Sequence, residues 1–184
     1  MTKRYKKIVL CVLIGILLIF SFSQYLGKSK ENYRIKHAED LNISDKTVTL
    51  CIRCDTILQH YSMLQENLQK ETFVPQDGII LKDTTFVLFP GDTAFDLLQR
   101  ATKRYGIQME YRGSYTGKIS GNYIEGINFL YEFSCGKDSG WMYMVNGDFP
   151  NYSCSQYPLK NKDKIVFAYT CERGKDLGIH YDRK

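Results

Sequence analysis

The sequence lacks the short motifs that mark the common enzyme classes. It contains no HExxH, GxSxG or GxGxxG, so the usual signatures of zinc proteases, serine hydrolases and dinucleotide-binding enzymes are missing. The stretch 113–120 resembles a phosphate loop, but its glycine spacing is one residue short and Ile119 replaces the magnesium-ligating hydroxyl residue. Nothing in the sequence sets the separation of carboxylates that a glycosidase pair would need; the candidates are Glu125, Glu132, Asp138 and Asp148. We therefore expect no catalytic residues and a protein that is not an enzyme.

Histidine is scarce, with three residues scattered along the chain at positions 37, 60 and 180. The CxxC motif formed by Cys51 and Cys54 has the spacing of a zinc or redox pair. It lies within a strand pattern, however, whereas a redox pair opens a helix, whose dipole lowers the thiol pKa. Because no second CxxC is present, we expect no metal site and no bound cofactor.

The body of the chain lacks an excess of positive charge. The formal net charge is +5, but four basic residues cluster at positions 3, 4, 6 and 7. Removing those four from the 25 lysines and arginines leaves 21, against 20 acidic residues. A nearly neutral body has no electrostatic footprint for phosphate, so we expect no nucleic-acid partner.

The N-terminal segment has the pattern of an export signal. The basic cluster precedes an uncharged, mostly apolar run over residues 8–26. As a helix this run would be about 28 Å long, close to the thickness of a bilayer core. We predict that residues 1–26 are a cleaved signal peptide or a retained transmembrane signal anchor. In both cases the basic cluster stays cytoplasmic, and the rest of the chain lies outside the membrane.

The remainder divides into a polar, aperiodic stalk at 27–45, a folded body at 46–178 and a tail at 179–184. Alternation of apolar and polar residues predicts a strand at 47–54, and helical spacing predicts an amphipathic helix over 57–68. Thr93 and Asp96 predict a capping box for a second helix that ends at Gly106 and buries Phe95, Leu98, Ala101 and Tyr105. Further strands are predicted at 79–81, 85–89, 107–112, 123–133, 141–145 and 164–170, with a flexible loop at 113–121 and a turn at 146–147. This order of elements predicts an α+β fold around one sheet, with one or two helices.

Five cysteines lie outside the N-terminal segment, and an exported chain meets an oxidising compartment. Cys54 and Cys171 end the apolar faces of the first and last predicted strands. If those strands are parallel neighbours, the two sulfurs come within reach of each other. Cys135 and Cys154 flank the strand that starts near residue 140. We predict disulfides between Cys54 and Cys171 and between Cys135 and Cys154, with Cys51 unpaired.

Aromatic residues are concentrated between residues 105 and 169. Trp141, Tyr143 and Val145 share one face of a predicted strand, and Met142 and Met144 share the other. One face packs in the core, and the other, or the nearby loops, provides contact area for a ligand. Our candidate ligand-binding residues are Tyr115, Met142, Met144, Asn146, Phe149 and Tyr152.

The stretch 140–150, which reads GWMYMVNGDFP, resembles the transcobalamin-like C-terminal domain family, a β-grasp-type module of exported bacterial proteins. The similarity extends to 48–54, 91–98, 123–128 and 162–169. It covers about 130 residues, from Val48 to Asp176. The resemblance implies a β-grasp-like mixed sheet in which the first and last strands are parallel and central.

The resemblance also implies binding rather than catalysis. In cobalamin carriers, a domain of this kind closes over a corrinoid held against a larger helical domain, and no such helical domain is present in this sequence. We therefore expect a membrane-tethered or secreted module at the bacterial cell surface that binds a small ligand, with a corrinoid among the candidates. The alternative is a surface module that recognises a protein or a wall polymer.

Overall fold

A computed structural model describes residues 45–116 and 119–179, and of residues 114–116, 119 and 120 it describes the backbone alone. The predicted membrane segment, nearly all of the predicted stalk and most of the tail lie outside the described residues. Within the described residues, no helix is both long enough and apolar enough to cross a membrane.

The described chain folds as a mixed α+β structure with two sheets and few helices. In chain order the regular elements are β1 (Thr47–Arg53), α1 (Thr56–Gln59), β2 (Ile79–Val87), α2 (Ala94–Tyr105), β3 (Met109–Thr116), β4 (Ile119–Ile127), β5 (Leu130–Tyr131), β6 (Gly140–Val145) and β7 (Lys164–Thr170). Short 3-10 turns lie at Tyr61–Met63, Glu66–Leu68, Cys154–Gln156 and Lys175–Leu177.

The larger sheet has the strand order β2-β1-β7-β6, and the smaller sheet has the order β3-β4-β5. Strands β1 and β7 are parallel and central, while β2 and β6 pair with them antiparallel. The expected parallel pairing of the first and last strands is therefore confirmed. The expectation of one sheet is wrong, because β3, β4 and β5 form a separate antiparallel sheet.

Helix α2 is the element that the sequence predicts best. The Thr93 hydroxyl accepts a hydrogen bond from the Asp96 N–H at 3.2 Å, and the Asp96 carboxylate accepts one from the Thr93 N–H at 2.9 Å. Gly106 ends the helix in the left-handed conformation, at φ 66°. Because these bonds satisfy the free N–H groups of the first turn locally, the helix start is readable without tertiary information. One expected core residue, Tyr105, is instead 46% exposed.

The predicted helix over 57–68 is wrong. It is replaced by α1 and two 3-10 turns, and Leu64 between the turns is extended, with ψ 136°. The N–H of Gln65 donates to the carbonyl of Ser134 at 3.0 Å, instead of to a carbonyl one helical turn earlier. A tertiary hydrogen bond thus interrupts a segment whose apolar spacing is helical.

The region after α2 also differs from the prediction. The expected loop at 113–121 is largely paired, because the β3–β4 register continues to Thr116 opposite Ile119. The expected strand over 123–133 ends at Ile127, where Asn128 and Phe129 take positive φ values of 53° and 65°. Two left-handed residues between paired strands form a tight hairpin connection, which leads into β5.

The main core lies between α2 and the inner face of the larger sheet. A second cluster of buried side chains lies beyond the end of β1 and includes Cys54, Ile57, Leu130 and Tyr169. At the edge of the main core, the guanidinium of Arg100 lies 2.9 Å from the carboxylate of Asp92, whose side chain is 1% exposed. The same guanidinium donates to the carbonyl of Val87 at 3.0 Å, so it ties α2 to the end of β2.

We expect Arg100→Ala to destabilise the protein by about 3 kcal/mol, because it removes the cation from a buried carboxylate. Lys103→Ala, an exposed change in the same helix, should alter stability by less than about 0.5 kcal/mol. Urea unfolding of the two variants measures the difference. Equal midpoints would show that the buried pair does not stabilise this corner of the fold.

Candidate functional site

Two aromatic side chains join the larger sheet to the smaller one. Trp141 of β6 and Tyr169 of β7 are register partners, and their rings meet edge to face at 5.3 Å. The indole N–H of Trp141 donates to the carbonyl of Leu130, and the hydroxyl of Tyr169 donates to the carbonyl of Tyr131, both at 2.7 Å. The short strand β5 is thereby held against the core face of the larger sheet.

The loop that leaves β5 is built around Ser139, which is buried. The Ser139 hydroxyl donates to the carbonyl of Gly136 at 2.8 Å and accepts from the N–H of Cys135 at 3.0 Å. It also lies 2.9 Å from the hydroxyl of Tyr169. This network fixes the loop from beneath and leaves its outer side chains facing solvent.

Phe133 is one of those outer side chains. Its backbone is left-handed, with φ 67°, and its side chain is 56% exposed. Both features are unfavourable for a bulky apolar residue, since left-handed backbone favours glycine and solvent exposure forfeits burial. The N–H of Phe133 donates to the carbonyl of Ser139 at 3.1 Å, which holds the residue in place.

Phe133 borders an open cleft of about 410 Å³, called here the aromatic cleft. Its apolar lining comes from Tyr123, Phe133, Trp141 and Met142, and its charged lining from Glu132, Lys137, Asp138 and Arg173. Burial and a hydrogen bond with Glu132 raise the pKa of Tyr123 to about 12. At the rim, the Arg173 guanidinium donates to the Asp138 carboxylate. The cleft therefore combines aromatic faces with both signs of charge.

The six candidate ligand-binding residues are not brought together. Met142 lines the aromatic cleft, whereas Met144, farther along the same strand, is 9% exposed. The amide of Asn146 donates to the carboxylate of Asp163 at 2.9 Å, and its oxygen accepts from the N–H of Lys164 at the same distance.

The other three candidates lie elsewhere along the chain. Phe149 and Tyr152 lie in the loop after β6, where the Tyr152 ring stacks on that of Tyr157. Tyr115 belongs to β3, and its side chain is outside the described part of the structure.

Tyr123 and Phe133 cannot be recognised as lining residues from the sequence, because its pattern predicts one continuous strand over 123–133. Position 133 holds neither glycine nor asparagine, the residues that usually indicate a left-handed backbone. The strand pattern places Trp141 on one face of β6, and the structure places its half-buried ring at both the core and the cleft. Glu132 and Asp138, two of the four carboxylates considered for catalysis, also line the cleft.

Neither predicted disulfide is formed, since all five cysteines of the described residues are free thiols. The β1–β7 register places Arg53 beside Ala168, so Cys54 is level with Tyr169 and two residues short of Cys171. Cys154 belongs to the main core, whereas Cys135 lies in the second cluster with Cys171. A hydrogen bond from the Cys171 thiol lowers the pKa of Cys135, and the same bond with burial raises the pKa of Cys171.

A family model described as a domain of unknown function (DUF4430) matches residues 91–171. This range runs from the turn before α2 to the end of β7 and includes all lining residues of the aromatic cleft except Arg173. The sequence matches no curated protein.

Similar solved structures include haptocorrin in complex with Cbi, at 14% identity and a TM-score of 0.45. The match covers 69% of this chain and 25% of haptocorrin, so the chain spans about a quarter of that protein. Another is a "putative metal binding protein" from Ruminococcus gnavus ATCC 29149, at 12% identity and a TM-score of 0.39. That match covers 68% of this chain and 96% of the other.

We expect Tyr169→Phe to destabilise the protein by about 1 kcal/mol, because it removes the hydrogen bond from the Tyr169 hydroxyl and leaves the carbonyl of Tyr131 with the N–H of Ser134 as its donor. Tyr105→Phe is the matched control, since that side chain is 46% exposed, and it should change stability by less than about 0.5 kcal/mol. Urea unfolding followed by the fluorescence of Trp141 reports both variants. A Tyr169→Phe protein as stable as the control would contradict the assigned role of the hydroxyl.

Proposed function

We propose that residues 46–178 form a binding module that holds a small ligand in the aromatic cleft, without catalysis. One observation carries the proposal: the exposed side chain of Phe133 borders a cleft that is also lined by Trp141 and Met142. Ligand sites are concave, largely apolar and supplied with a few fixed polar groups. The aromatic cleft is open and joins apolar faces to several polar and charged groups, with Met142 as an adaptable apolar contact.

We propose that the cleft is not catalytic because its acidic groups already have hydrogen-bond partners. Asp138 accepts a hydrogen bond from Arg173, and Glu132 is hydrogen-bonded to the hydroxyl of Tyr123. In the proposal these carboxylates, held by their hydrogen bonds, orient a ligand. The charged rim would then select the polar groups of a ligand whose apolar part lies on the rings.

A corrinoid is our first candidate ligand, on the strength of the resemblance to the transcobalamin-like family. Ligand pockets of about 300–1,000 Å³ enclose most of a drug-sized molecule, and the aromatic cleft of about 410 Å³ lies at the lower end of that range. A corrinoid macrocycle would therefore be held along one edge, with the remainder left to a partner. We propose the β-grasp module as one half of such a site.

We also propose that the module works outside a bacterial membrane. The support is the basic cluster at residues 3–7 followed by the apolar run over 8–26, a pattern that directs the following chain across the membrane. A retained segment would tether the module, and cleavage would release it.

A second candidate function is recognition of a protein or a wall polymer. It is favoured by a pair of exposed apolar side chains, Phe133 and Met63, which are 56% and 52% exposed. Gly136 belongs to the loop that carries Phe133. A Cβ added at Gly136 would lie 2.7 Å from the terminal carbon of Met63, so this loop is in contact with the turn that carries Met63. A polymer or protein surface would cover both side chains, whereas a small ligand in the cleft would contact Phe133 alone.

To test the cleft, we would titrate the full chain with cobalamin and follow the corrinoid absorbance and the fluorescence of its one tryptophan. Because Trp141 lines the cleft, binding there should quench its emission. We expect Phe133→Ala to weaken binding at least about tenfold, the effect of losing an aromatic anchor worth about 1.4 kcal/mol or more.

Phe129→Ala is the matched control, because Phe129 is also left-handed and 47% exposed but packs on Phe73. It should bind cobalamin as the unmodified chain does. If both variants weaken binding equally, the aromatic cleft is not the binding site. If cobalamin at high micromolar concentration causes no spectral change, a corrinoid is not the ligand. Retention on wall polymer that is lost in both Met63→Ala and Phe133→Ala would favour the second function.

A further inference from the structure

We propose a second site in which His60, Cys171 and Asp176 bind a Zn²⁺ ion. Among the described residues, these three side chains place one ligand atom each within 4.8 Å of one another. They come from the residue after α1, the residue after β7 and the 3-10 turn at Lys175–Leu177. The site shares no residue with the aromatic cleft, and the inference does not depend on the proposed function.

The orientation of His60 fits a metal ligand. Its Nδ1 lies 3.0 Å from the carbonyl of Thr56, so an N–H at Nδ1 donates to that carbonyl and leaves the Nε2 lone pair free to bind. Nε2 lies 3.2 Å from a carboxylate oxygen of Glu172. The contact is an ion pair when the ring carries a proton at Nε2, and a Zn²⁺ ion bound there would take the place of that proton beside the carboxylate.

The carboxylate of Asp176 is fixed beside the Cys171 thiol by the backbone. One oxygen accepts from the N–H of Cys171 at 2.6 Å, and the other accepts from the hydroxyl of Thr170. The same hydroxyl accepts from the N–H of Gly174 at 2.6 Å, which closes the turn. Each carboxylate oxygen keeps a lone pair for a metal, because each accepts one hydrogen bond here.

The donor set selects the metal. A thiolate, an imidazole and a carboxylate suit Zn²⁺, which binds sulfur, nitrogen and oxygen ligands in tetrahedral sites. Mg²⁺ and Ca²⁺ prefer oxygen donors alone. An open cleft of about 350 Å³ leads to His60 and Asp176, and Asp55 and Glu172 also line it. These carboxylates supply a negative entry path for a divalent cation.

A second thiol lies next to the site and sets one experimental condition. Cys135 is fully buried and its sulfur lies 3.5 Å from the carbonyl of His60. Both it and Cys171 belong to the second cluster of buried side chains. Oxidation of these two thiols to a disulfide by an oxygen or disulfide oxidant would consume the Cys171 ligand, so the protein is kept reduced during the test.

The test is a titration of the reduced full chain, in mild detergent, with Zn²⁺ alone. We expect one ion bound per chain, release of the Cys171 proton to the buffer and a rise in melting temperature. Substitution with Co²⁺ should give a sulfur-to-metal charge-transfer band. In Cys171→Ala the bound ion, the charge-transfer band and the thermal shift should all be lost.

Cys154→Ala is the control, because Cys154 is 4% exposed but belongs to the main core. It should bind Zn²⁺ as the unmodified chain does. No binding by the unmodified reduced chain at high micromolar Zn²⁺ would overturn the proposal. Undiminished binding by Cys171→Ala, or equal loss in Cys154→Ala, would also overturn it. Since cobalamin binding is measured through Trp141, failure of either site is recognised separately from failure of the other.

Discussion

Two hydrogen bonds from aromatic side chains to adjacent carbonyls join the larger sheet of this structure to the smaller one. Tyr169 is buried and Trp141 half-buried; each ring carries one polar atom, and such an atom needs a partner once water is removed. Both atoms find it on β5, at Leu130 and Tyr131. The two bonds therefore give partners both to the polar atoms of the rings and to the carbonyls of β5. It is also the reason that a strand of two residues can be part of the core.

Both candidate sites lie around the end of β7. On one side, the hydroxyl of Tyr169 supports the loop that carries Phe133. On the other, the backbone carbonyl of Tyr169 accepts from the Thr56 hydroxyl at 2.7 Å, which holds α1 and His60 in place. The turn that follows supplies Arg173 to the aromatic cleft and Asp176 to the proposed zinc site. A single buried tyrosine thus positions elements of two unrelated surfaces.

What the sequence predicts well is determined by neighbours along the chain. The capping box of α2 involves residues three positions apart, so its partners are visible in the sequence. The helix over 57–68 fails because Gln65 bonds to Ser134, far along the chain. The disulfide between Cys54 and Cys171 depends on register, and an offset of two residues is invisible to periodicity. His60 and Cys171 lie more than a hundred residues apart, so no motif unites them, and the expectation of no metal site follows from the scattered histidines and the single CxxC pair.

The left-handed backbone of Phe133 has a consequence for how this chain tolerates change. Glycine would adopt φ 67° without strain, whereas more than half of the phenylalanine side chain is exposed. Selection for stability alone would therefore favour replacing Phe133. Phenylalanine at this position would then exchange some stability for a ring presented at the cleft, a trade-off that is common at functional sites. Consensus or computational stabilisation of this domain would be expected to remove Phe133 early, and with it the rim of the aromatic cleft.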